Sequence, residues 1–152
     1  MIATGPLQLY DRSLVGLLDG SRKLLDEASL TALLLSSNYV PDLAVHRVLA
    51  DVSAFEVSGG DYRRRSVTGG TILASTGAAA FSTDAISWGD PVTLPPVKYL
   101  AICYGALGTL APDSQLLGVM NLAGDAPSVE AVRSSFSVSS PLGGWFSLTR
   151  AN

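Results

Sequence analysis

The stretch that decides the fold is Val97-Lys98-Tyr99-Leu100-Ala101-Ile102-Cys103-Tyr104. β-Branched and aromatic residues dominate it, and Lys98 is its one charge, which is the composition of a central β-strand. Similar short runs flank it on both sides. Leu30 to Leu35 is apolar apart from Thr31 and is ended by Ser36-Ser37-Asn38. Ser66 to Ala74, Ala78 to Ser82, Ile86 to Trp88 and Leu116 to Leu122 are further strand candidates. Val132 to Val138 and Trp145 to Thr149 read as a closing hairpin about Pro141-Leu142-Gly143-Gly144. Turn signals separate the runs: Asn38 to Asp42, Ser58-Gly59-Gly60-Asp61, Gly89-Asp90-Pro91 and Pro95-Pro96. Gly69-Gly70, inside one run, predicts a bulge or a close backbone approach.

Many short strands at this spacing, without long intervening helices, predict a mainly β protein. The expected architecture is an antiparallel sandwich or barrel, jelly-roll-like, with one short N-terminal helix. The helix is placed at 10–19 by Leu14, Leu17 and Leu18, with Asp11 or Ser13 at its start and Gly20 at its end. Residues 1–8 carry no periodicity and are expected to form an arm, with 9–152 as a single domain.

The chain has 152 residues, enough for one well-buried core. Its single cysteine, Cys103, excludes an intramolecular disulfide. Charged residues make up only 15%, against about 25% in an ordinary soluble domain. Mean hydropathy is +0.34. A surface this poor in charge is rich in Ser, Thr and Gly, is covered by partner chains, or both. The net charge of −3 and an isoelectric point near 4.9 argue against nucleic acid and anionic membrane as partners. Residues Met1 to Leu9 lack a signal-peptide pattern. The longest apolar stretch, Tyr99 to Ala111, falls short of the roughly 20 residues a membrane helix needs.

Chemistry is sparsely supplied. His46 is the one histidine, so a Ser-His-Asp site would have to use it, and no G-x-S-x-G elbow is present. Cys103 sits in the most apolar strand, where a thiol is unreactive. One Cys and one His cannot build a zinc site, and the scattered carboxylates form no calcium loop. Gly59-Gly60 and Gly69-Gly70 lack the rest of any phosphate-binding signature. No cofactor, metal or catalytic residue is therefore expected, and the chain is read as a non-enzyme. Trp88, Trp145, Phe81, Phe136 and Phe146 are expected in the core. Tyr10, Tyr39 and Tyr62 lie near turns, where a sugar-binding platform could be built. The run Arg63-Arg64-Arg65 has two readings: a solvated edge that blocks aggregation, or an anchor for an acidic partner chain. With Pro6 and Leu7 of the arm, these arginines are the candidate interface residues.

The order of segments resembles a family of small virion structural proteins of tailed bacteriophages. The resemblance runs through the helix Tyr10 to Asp19, Leu30 to Leu35, Ser37-Asn38-Tyr39-Val40-Pro41-Asp42, and Leu49-Ala50-Asp51-Val52. It continues through Glu56-Val57-Ser58-Gly59-Gly60-Asp61-Tyr62, Gly69 to Leu73, Ile86-Ser87-Trp88, Val97 to Tyr104, Leu116 to Leu122 and the closing hairpin, and so covers nearly the whole chain. It departs at Asp61, where a second glycine is expected before the tyrosine, and in the basic run that follows. It implies a capsid cement or decoration protein. The alternatives are a tail, collar or fibre component, or a receptor- or sugar-binding module. The implied partners are the major capsid protein or other virion proteins, and further copies of the chain, with a trimer favoured. The implied location is the virion, after synthesis in the host bacterial cytoplasm. No functional residue carries over from the family.

Overall fold

The computed structural model describes residues 2–25 and 29–150. In chain order its elements are β1 (Ile2–Thr4), β2 (Gln8–Leu9), α1 (Asp11–Leu18), β3 (Leu30–Leu35), β4 (Arg65–Val67), β5 (Thr71–Ser75), β6 (Ala78–Ser82), β7 (Ile86–Val97), β8 (Tyr99–Tyr104), β9 (Leu116–Asn121), β10 (Val129–Val138) and β11 (Phe146–Thr149). Short 3-10 turns cover Leu49–Asp51, Ser53–Phe55 and Leu107–Thr109. All pairings are antiparallel. They form sheets of order β2-β9-β8-β3-β4, β1-β11-β6-β5 and β10-β7. The mainly β, sandwich-like expectation holds, and the sheets do not close into a barrel.

The five-stranded sheet is buried on both faces, which explains why β3 and β8 read as continuous apolar runs. Alternate side chains serve different cores. Leu30, Ala32, Leu34, Leu100 and Ile102 face a core shared with the other two sheets, where they meet Phe81, Trp88, Leu94, Trp145 and Phe146. Leu33, Leu35, Ala101 and Cys103 face a second core closed by Tyr10, Tyr39, Leu49 and Val52. Thr31, the polar member of β3, is satisfied by donating from Oγ1 to the Gly105 carbonyl at 2.8 Å. Leu24 and Leu25 pack against the first core.

Residues 2–9 are placed differently from the expected arm. β1 pairs with β11, and β2 pairs with β9. Between them the Leu7 N–H donates to the Trp145 carbonyl at 3.0 Å, and the Leu7 side chain is 2% exposed. The segment therefore ties one sheet to the other. The crossing is tight at Gly5, where a Cβ would lie 2.5 Å from the Trp145 carbonyl oxygen. Only a glycine fits there, and its φ of +147° suits no other residue.

The expected closing hairpin does not form. β10 pairs with β7, whereas β11 lies between β1 and β6. Burial of two tryptophans separates them. Trp145 is held against β6, with its N–H on the Phe81 carbonyl at 2.7 Å and its indole N–H on Thr83 Oγ1 at 2.8 Å. Trp88 needs the cover that β10 gives through Phe136, whose ring stands edge-on to it at 5.8 Å. Gly144 redirects the chain, with φ +79° and no room for a Cβ beside the Phe81 carbonyl.

The run Ser66 to Ala74, expected as one strand with a bulge or close backbone approach at Gly69-Gly70, is instead two: the glycines separate β4, which pairs with β3, from β5, which pairs with β6. Gly89-Asp90-Pro91 does not end a strand: β7 runs through it with a cis Asp90–Pro91 peptide, and β10 answers with shifts of register. Among the described residues one edge of β7 has no ladder partner, so prolines are tolerated there.

Candidate assembly surface

The site stands on β5 and its hairpin partner β6. Among the described residues Thr71-Ile72-Leu73-Ala74-Ser75 pairs only with β6, and each of its residues is exposed. Ile72 is 48% and Leu73 59% exposed. Residues 66–83 carry no charge. Natural edge strands are usually blunted by lysine, proline or a bulge. β5 has neither lysine nor proline, and its register with β6 is regular from Thr71↔Ser82 to Ser75↔Ala78. It offers unpaired backbone donors and acceptors between two aliphatic side chains.

The interface residues chosen from sequence are mostly engaged within the chain. Arg64 grips Glu56 with two bonds, Nε to Oε1 at 2.8 Å and a terminal nitrogen to Oε2 at 2.6 Å. Glu56 Oε1 also accepts from the Tyr62 hydroxyl at 2.6 Å, and that hydroxyl accepts from the Leu34 N–H at 3.1 Å. The carboxylate raises the Arg64 pKa further above its ordinary value, and burial with the Glu56 bond raises that of Tyr62. Arg65 donates to the Trp88 carbonyl at 2.7 Å, while the Trp88 indole N–H donates to the Arg63 carbonyl at 2.9 Å. Two of the three guanidinium groups thus brace β4 against β7 and the loop before it. Arg63 remains exposed, as does Pro6, whereas Leu7 is core. Neither the internal role of Glu56 nor the bare β5 edge was singled out from sequence. The uncharged run from Ser66 to Thr83 was the signal for the edge.

His46 ends a chain of hydroxyls. The Tyr10 and Tyr39 hydroxyls are 2.7 Å apart, and His46 Nδ1 lies 2.9 Å from that of Tyr39 and 3.3 Å from the Asp42 N–H. Burial raises the pKa of both tyrosines. The arrangement satisfies polar atoms at the rim of the second core, and Tyr10 and Tyr39 are too buried to form a sugar platform. Tyr62 is half-buried. Among the described residues no group of His, Cys, Asp and Glu could hold a metal ion, and no helix is long and apolar enough to cross a membrane. A cleft of about 470 Å³ lies between Gly20–Lys23 and Tyr104–Ala106. Its guanidinium, Arg22, stacks on the Tyr104 ring at 5.6 Å and donates to Gln115.

Cys103 lies in the second core with Sγ 3.7 Å from the Thr31 carbonyl. Burial pushes its thiol up to about 11. At mildly alkaline pH it stays protonated and inaccessible, so a disulfide reagent such as DTNB is expected to leave the folded protein unmodified. In denaturant the same reagent should titrate one thiol. Rapid modification of the folded chain would contradict this placement.

No family model, curated protein or solved structure matches the chain.

Proposed function

We propose that this chain is a non-catalytic structural subunit of a phage particle, seated on the head as a cement or decoration protein. Its partners are the major capsid protein and other copies of itself, and its location is the virion. The observation that carries the assembly reading is the β5 edge: uncharged, regular, exposed on both faces and unpaired. A solitary soluble protein gains nothing from such an edge and risks aggregation by it. An assembled subunit uses it. The low charge content agrees, because few charged groups need desolvation when large surfaces are covered. The phage particle as the setting rests on the resemblance in segment order from Tyr10 through the closing segments to Thr149, of which the final hairpin pairing does not form.

The function is mechanical. A head subunit of this kind bridges its neighbours and adds buried area where the shell is pulled apart. A standard interface buries about 1,600 Å². Repetition over a closed shell lets weak contacts add through effective concentration.

Loading onto heads that lack the protein tests this reading by co-sedimentation. Wild type is expected to saturate the heads. Leu73→Lys, a surface change that leaves both cores intact, is expected to weaken loading at least tenfold, equivalent to about 1.4 kcal/mol. Wild type that stays in the supernatant would sink the head assignment.

A further inference from the structure

We infer that β5 joins two copies of this chain, antiparallel, about a two-fold axis through Leu73, so that two four-stranded sheets become one continuous sheet. The inference rests on the assembly reading above and names the occupant of the edge.

The backbone sets the register. Ser75↔Ala78 closes the two-residue loop Thr76-Gly77 and is therefore a hydrogen-bonded pair. Alternation then makes Leu73↔Ala80 and Thr71↔Ser82 hydrogen-bonded as well. The N–H and C=O groups of Thr71, Leu73 and Ser75 are spent on β6. Those of Ile72 and Ala74 point the other way, off the sheet. A second strand can bond only to these two residues.

The side chains choose the second strand. Centring an antiparallel copy on Leu73 sets Thr71 opposite Ser75, Ile72 opposite Ala74 and Leu73 opposite itself. Hydroxyl meets hydroxyl and aliphatic meets aliphatic, the pairings that stabilise sheets. Ile72 and Ala74 of one copy exchange both backbone bonds with Ala74 and Ile72 of the other. Centring on Ile72 or on Ala74 also obeys the bonding parity but aligns only part of the strand. The Leu73 axis alone aligns all of it. With no charge between Ser66 and Thr83, approach of two identical hairpins meets no like-charge repulsion.

The contact is small beside the roughly 800 Å² per partner of a standard interface. Pairing in solution is thus concentration-dependent and strengthens where copies are held side by side. An isologous contact closes at two copies, so a trimer would need a different surface.

Site-directed cysteines test the pairing. At a non-hydrogen-bonded antiparallel position the Cα atoms lie about 4.5 Å apart, within the roughly 4.4–6.8 Å that a disulfide spans. Leu73→Cys, treated with a mild oxidant, is expected to form a disulfide dimer at least ten times faster than Thr71→Cys or Ser75→Cys alone. A mixture of Thr71→Cys with Ser75→Cys should cross-link rapidly. In sedimentation, wild type should show a monomer–dimer equilibrium that Leu73→Lys shifts at least tenfold toward monomer. Equal oxidation rates for the three single variants would overturn the two-fold axis. So would a wild type that stays monomeric at every concentration, or an oligomer indifferent to Leu73→Lys. If cross-linking fails while heads are still loaded, only the two-fold contact falls. If cross-linking succeeds and heads are not loaded, only the head assignment falls.

Discussion

Deleting residues 1–8 is expected to abolish cooperative folding. The deletion removes β1 from its place beside β11, removes Gln8 from its pairing with Val119, and takes Leu7 out of the first core. Loss of a buried leucine side chain alone costs about 2–5 kcal/mol, against a total stability of roughly 5–15 kcal/mol for a domain. The deletion also uncovers the outer edge of β11 and leaves the Trp145 carbonyl without its donor, the Leu7 N–H. Circular dichroism and urea titration should show a broad, shallow transition in place of a sharp one. The point variant Leu7→Ala should remain folded but less stable by about 2–5 kcal/mol. A truncated chain within about 1 kcal/mol of the full one would mean that the segment is a dispensable arm after all.

Trp88→Ala is expected to have the largest effect of any single substitution. Trp88 is buried where β7 meets β10 and the Arg63–Arg65 segment, and it does two jobs. Its indole fills the first core beside Phe136, and its ring N–H satisfies the Arg63 carbonyl. Truncation of a buried tryptophan costs about 3–5 kcal/mol in lost burial and cavity. The stranded carbonyl adds about 1–3 kcal/mol if it stays dry. At roughly 2–4 °C per kcal/mol for a chain of this size, the melting temperature should fall by about 10 °C or more. Trp88→Phe separates the two contributions, since it keeps most of the volume and loses the bond. A loss below about 1 kcal/mol for Trp88→Ala would contradict the placement of this ring.

These two positions also mark where local reading ends. Strands β3 and β6 are legible residue for residue, because short apolar runs bounded by turn residues leave little choice. The β8 run and the helix are legible to within a residue or two at each end. Pairing partners are not legible in the same way. Val132 to Val138 and Trp145 to Thr149 are adjacent in sequence and alternate in type, yet each answers to a distant tryptophan contact. Residues 2–9 have no periodicity because they cross from one sheet to another, and each short piece pairs for only two or three residues. Pro91 obscures the length of β7, since an edge position makes a proline harmless that would end a central strand.

The candidate site was legible in composition but not in position. Low charge is compatible with a surface rich in Ser, Thr and Gly or one that partners cover, but the basic run Arg63 to Arg65 is more conspicuous in the sequence than the uncharged one. Arg64 and Arg65 turned out to serve Glu56 and the Trp88 carbonyl, partners that only the tertiary fold brings near. Burial alternates along a half-buried strand, and it is the failure of alternation in β5, exposed throughout, that marks the edge. The uncharged run from Ser66 to Thr83 marks the stretch, but which strand within it lacks a second neighbour is set by the tertiary fold.

The proposed head assignment is tested most directly by a reconstruction of the particle that carries this protein. The expected result is density for the chain repeating as a lattice over the shell, with β5 hairpins of neighbouring copies meeting in pairs. A single ring at one vertex would move the chain to the collar or tail, and a particle with no density for it would contradict the virion role.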